Sequence, residues 1–170
     1  GEEAQSDPKT AGGDQQGSSP KLKPTLDNLQ NVAKIIAINS HWHSLIFSGT
    51  KTWELRSTPW KFRGDVGIWS GSRVHGLVTI VGCQLVALKS STGEWEPFDE
   101  SENAAESFVL ADHNIEKHQV PMENLLLLGK SRTRIYAYTL VNPREFSTSI
   151  PVKIKVGAHF VQTMDMDLWR

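Results

Sequence analysis

Three isoleucines, Ile35, Ile36 and Ile38, fall within residues 34–39, and this β-branched bulk predicts a first buried strand there. The period then changes. Ser40 offers an N-cap, Trp42, Leu45 and Ile46 recur at helical spacing, and Gly49 is the residue expected just beyond a helix C-terminus, so a helix of about two turns follows. Period-two alternation predicts strands over residues 52–56 and 66–70, and a longer one over 77–86 in which Gly82 marks a bulge. Residues 99–117 read as one helix, with Asp99 and Glu102 in capping-box spacing and Ala105, Phe108, Val109 and Ile115 turned inward. Residues 121–128 add a further helical turn closed by Gly129. Strands over 134–141, 152–156 and 159–164 complete the set.

Residues 1–26 have almost nothing apolar to offset the entropy of ordering, so residues 1–30 are expected to be a disordered tail and residues 31–170 one domain. No repeat of twenty residues or more is visible, which argues against solenoids and propellers. Five to seven strands with two or three inserted helices give an α+β fold, a small mixed β-barrel.

Composition adds limits. The 170 residues carry one cysteine, Cys83, which excludes an internal disulfide framework and a cysteine-based zinc site and fits a reducing, intracellular setting, cytoplasmic or nuclear. No apolar run approaches the roughly 20 residues of a bilayer span, so no membrane partner is expected. The first residue is Gly, which fits a fragment or a processed form. Net charge is −1, giving no case for a strongly basic nucleic-acid binder, but the signs are segregated. Residues 51–63 hold Lys51, Arg56, Lys61 and Arg63 against Glu54, while residues 94–123 hold nine acids against Lys117. A local basic patch attracts phosphate even where the whole surface does not.

The patch coincides with a pattern. Alternation puts Thr52, Glu54 and Arg56 on one strand face and Trp53 and Leu55 on the other, facing the core; Lys51 joins the charged face if it lies in the turn that Gly49 permits. Charge spacing by itself fits a solvated Glu54–Arg56 pair worth under about 1 kcal/mol. Tryptophan shifts the balance towards a site, because Trp42, Trp53, Trp60 and Trp69 all fall around these charges, and aromatic faces beside Lys and Arg suit stacking with phosphate recognition. They are also good core material.

Gly49, Lys51, Glu54 and Arg56 together resemble the G-x-K-x-x-E-x-R signature of the ASCH domain family. NSHWHSLIFSG, RGDVGIWSGS followed by GLVTIVG, and IYAYTLVNPREFSTSIPVKIKVGAHF are similar to its opening, central and closing segments, so the resemblance spans roughly residues 34–164. It implies a PUA-like barrel with a cleft lined by the signature residues and a role linked to RNA. By match to the motif, Lys51, Glu54 and Arg56 are the principal site residues, with Lys51 and Glu54 as the catalytic candidates if the domain is an enzyme. Arg56, Trp42, Trp60 and Ser70 are the binding candidates. Asn39 and His41 depart from the family, standing where many members carry a basic residue and a proline. Small members that resemble amidohydrolases of acetylated cytidine carry a threonine nucleophile at the place of Glu54, and a carboxylate cannot perform that hydroxyl chemistry.

Three readings follow, in order: a module binding single-stranded RNA or a modified nucleoside; a hydrolase or ribonuclease using Lys51 and Glu54; and a protein-interaction domain working through the acidic stretch. A monomer is expected. No cofactor or metal is: His41 and His43 diverge by about 200° on a helix, and no glycine pattern suits a dinucleotide. His75, His113, His118 and His159 receive no role, and Cys83 reads as an inert core thiol.

Overall fold

The computed structural model describes residues 20–23, 34–127, 132–153 and 161–163. Seven strands form one sheet: β1 (Lys34–Ala37), β2 (Trp53–Arg56), β3 (Gly64–Ser70), β4 (Arg73–Lys89), β5 (Trp95–Glu96), β6 (Arg134–Pro151) and β7 (Val161–Thr163). The order is β2-β6-β4-β3-β1-β7, with β5 beside β4, and all pairings are antiparallel except β1 with β3. Four helices are inserted: α1 (His43–Phe47), α2 (Glu102–Glu106), α3 (Asp112–His118) and α4 (Met122–Leu127). The α+β class stands. The sheet, however, is open, with no ladder joining its ends among the described residues.

A side chain ties the edge strand β2 to β1, which is itself paired with β3 and β7: the Arg56 guanidinium, at the end of β2, donates to the Ala37 carbonyl at the end of β1. The β2 and β1 strands have four residues each, whereas β4 and β6, with 17 and 18, carry the longest ladder in the sheet. Those two outrun their expected bounds because bulges absorb the awkward residues. Between the pairs Leu77↔Arg144 and Thr79↔Val141, Asn142 and Pro143 both oppose Val78, so the proline that cannot donate sits at a bulge. Gly82 lies beside another register shift, as expected.

The helical region departs most from the sequence reading. One helix over residues 99–117 becomes two, because the Val109 amide donates to Val86 of β4 and docks the main chain at the break. Ser101 caps α2, accepting from Ala104, while Asp99 accepts from Ser101 in a turn ahead of it; Ala104 is consequently buried and Ala105 exposed. Asn114 holds the break from the other side, donating to Glu106 and Phe108. At the first helix, Asn39 rather than Ser40 is the cap, and a 3-10 turn at Ser40–Trp42 precedes α1. Residues 152–153 are not strand, although Val152 is buried; residues 154–160 and Gly129 lie outside the described residues. Within the stretch expected as a tail, Leu22 exchanges two backbone bonds with Glu145 and Ser147 and packs on the cluster of Ile35, Val74, Leu77 and Phe146. Among the described residues no helix is long and apolar enough to cross a membrane.

His118, given no role by the sequence, clamps this region. It is fully buried, its Nδ1 accepts from the Val120 amide and its Nε2 donates to the Val109 carbonyl, a pairing that only the neutral ring can make. Burial accordingly lowers its pKa, despite the raising effect of the Val109 carbonyl. An unfolded histidine titrates near 6.5, so acidification protonates the unfolded chain first and the native state loses stability as pH falls from that value towards the lowered one. His43, lowered by burial, adds to the same window. Urea denaturation at pH 7.5, 6.0 and 5.0 should therefore show falling stability, with a shallower fall in His118→Asn; equal slopes in the two proteins would refute the clamp. Packing gives a second expectation. A Cβ on Gly76 would stand 2.6 Å from the Phe47 ring and closer still to the Arg144 carbonyl oxygen, so Gly76→Ala should destabilise by about 1–3 kcal/mol. An unchanged urea midpoint would contradict that contact.

Candidate functional site

Gly49, at φ 84°, ends α1 and turns the chain so that the Lys51 amide donates to Leu45. The Lys51 side chain then enters the interior on the face shared by Glu54 and Arg56. It is 2% exposed, and Glu54 is 8% exposed. Lys51 Nζ stands 3.7 Å from Glu54 Oε1, and Arg56 Nη2 stands 2.9 Å from Glu54 Oε2. The three charges do meet, and the solvated pair that spacing alone suggests is not what forms.

Each cation has a second anchor. Lys51 Nζ donates to the His118 carbonyl at 2.6 Å and lies 4.6 Å from the centre of the Trp42 ring. That carbonyl belongs to the last turn of α3, where the helix dipole favours a cation, and the Thr52 amide takes the neighbouring Lys117 carbonyl at 2.8 Å. Two consecutive residues, Lys51 of the signature and Thr52, thus cap one helix. Arg56, through Ala37, holds the end of β1. Burial pushes the Lys51 ammonium below its ordinary pKa, and Glu54 opposes that shift. Tyr138, opposite Glu54 in register on β6, shares this face, donating its hydroxyl to the Thr58 carbonyl; burial raises its pKa.

Above this network is a cleft of about 340 Å³ lined by Ala37, Asn39, Trp42, Glu54, Leu55 and Arg56, with Arg132, Arg134 and Ile135 on the β6 side. Lys51 is not on its wall. The lysine is buried against two residues that are on the wall, Glu54 and Trp42. Trp42 lines the cleft. Trp60 does not: it stacks on Phe62 at 4.9 Å between ring centres and packs with the cluster around Tyr138. Ser70 is also elsewhere, with its hydroxyl 3.3 Å from His75 Nε2. Cys83, half-buried, packs on the same cluster as Trp60.

Sequence reasoning passed over Arg132 and Arg134. Their spacing held a signal: Arg56 pairs with Tyr136 across the β2–β6 ladder, so Arg134, two residues back, shares the face of Arg56. The carbonyl of His118 had no sequence signal at all, since a backbone acceptor 67 positions away is set by the fold. Among the described residues no group of three or more His, Cys, Asp or Glu side chains is placed to hold a metal ion.

No curated protein matches the chain. A family model, the ASCH domain, matches residues 36–147, which run from β1 to the middle of β6 and include Lys51, Glu54, Arg56 and every residue of the cleft wall. The chain belongs to the ASCH domain family, whose fold is PUA-like.

Proposed function

We propose that this ASCH domain binds single-stranded RNA, or a modified nucleoside, by admitting one base to the cleft above Glu54 and Arg56. The observation that carries the reading is the sharing of one concavity by an indole and a paired carboxylate and guanidinium. Trp42, Glu54 and Arg56 line the same cleft of about 340 Å³, within the range of small-ligand sites, and Ala37, Leu55 and Ile135 supply apolar wall. Trp42 and the apolar wall offer surface against which a base can pack, while Glu54 accepts from a base amine and Arg56 donates to a ring nitrogen or carbonyl. A base inside a duplex has its edge occupied and its faces stacked, so the site selects an unpaired one.

Placement of Lys51 favours binding over hydrolysis. Its ammonium is off the cleft wall and donates to the His118 carbonyl, so it does not touch a ligand in the cleft. Its work is to hold Glu54.

The test is fluorescence anisotropy with a short labelled RNA, single-stranded and as a duplex. Single-stranded RNA should bind more tightly than duplex, with affinity falling as salt rises. Glu54→Gln and Arg56→Gln should each weaken binding about tenfold, equivalent to about 1.4 kcal/mol, with unchanged circular dichroism. If both variants fold and bind single strands as the parent does, the cleft is not the binding site.

A further inference from the structure

We propose that the cleft takes a phosphate-bearing ligand, and that Arg132 and Arg134 select it over the bare nucleoside. This inference rests on the reading of the cleft as a base site and adds which part of the ligand meets which wall.

Four charged side chains line the cleft: Glu54, Arg56, Arg132 and Arg134. At the floor the charges answer one another. Glu54 faces Arg56 at 2.9 Å and Lys51 at 3.7 Å, so what remains there is hydrogen-bonding capacity for a neutral group. At the rim they do not. Arg132 and Arg134 are exposed and make no ion pair among the described residues, yet they border the same cavity. The whole chain has a net charge of −1 and its acids crowd residues 94–123, so general solubility does not call for a cationic rim at this position.

A nucleoside has no charge to offer these two arginines; a phosphate has, and the guanidinium fork matches its oxygens. The sheet fixes where the phosphate must lie. Arg56 is opposite Tyr136; Arg134, the first residue of β6, lies two residues further from Tyr138 and Glu54, and Arg132 precedes the strand. A base seated on the Glu54 floor therefore extends its sugar and phosphate along that line, out over the beginning of β6. Because both arginines are solvated, their attraction is screened by salt, whereas hydrogen bonds at the buried floor are not.

Calorimetric titration of the full chain with adenosine, adenosine monophosphate and the dinucleotide ApA separates the parts. A phosphate monoester and a diester share the chemistry, and the monophosphate and dinucleotide arms identify which source the rim prefers. At about 50 mM salt one or both phosphorylated ligands should bind about tenfold more tightly than adenosine, and the advantage should shrink by about 200 mM. Replacing both residues, Arg132→Ala with Arg134→Ala, should bring the phosphorylated ligands to the affinity of adenosine; Lys61→Ala, an exposed cation off the cleft wall, should not. If adenosine and both phosphorylated ligands bind the parent protein alike, the inference is overturned while base binding stands. If the double variant keeps the full advantage, it is overturned equally. Should none of the three ligands bind, the reading of the cleft falls and the inference with it.

Discussion

The Glu54 carboxylate is the constraint on which this structure turns. One buried side chain engages two cations, and each cation is fastened to the end of a different element: Lys51 to the last turn of α3, Arg56 to the end of β1. Ionised groups so little exposed are costly to bury unless every one is paired and hydrogen-bonded. Here the charge of the glutamate and the carbonyls of two secondary-structure ends supply that pairing. Its consequence is positional. The helix following the break at Val109 and the strand opening the domain are both indexed to the same carboxylate.

This explains why the cleft is where it is. Strand β1 is paired on both sides, with β3 and β7, so no ladder joins it to β2. An arginine spans the distance instead, and beside its guanidinium a concavity remains, with Trp42 and Asn39 at one side and the start of β6 at another. Lys51, off the cleft wall, serves it by holding the carboxylate in place; the lowered pKa of its ammonium marks what burial costs.

Much of this was legible in the residues, because local rules and tertiary demands agree over most of the chain. The isoleucines of β1, the glycine after α1 and the alternation of Trp53 and Leu55 against Glu54 and Arg56 all act where they were read. The failures have physical causes. The helix over residues 99–117 has adequate periodicity, but docking of Val109 on β4 overrides it, and no local pattern encodes a contact with Val86. The strand expected over residues 134–141 runs on to Pro151, because a bulge on β6 accommodates Pro143. Trp60, selected for its closeness in sequence to the charges, packs on Phe62 because the loop before β3 folds back on the core. Arg132 and Arg134 come from the opposite half of the chain and approach Arg56 only through the β2–β6 register. Charge on one strand was readable; charge contributed by its neighbour needed the sheet.

Coupling between Lys51 and Glu54 is therefore the quantity that bears most directly on the account. A double-mutant cycle in urea, with Lys51→Met, Glu54→Gln and the pair together, measures it at constant pH and salt. A shared buried network predicts that the two losses are not additive, with an interaction free energy of about 1–3 kcal/mol. Additivity within about 0.5 kcal/mol would mean that the two residues stand near one another without holding each other, and that the floor of the cleft is not built as described.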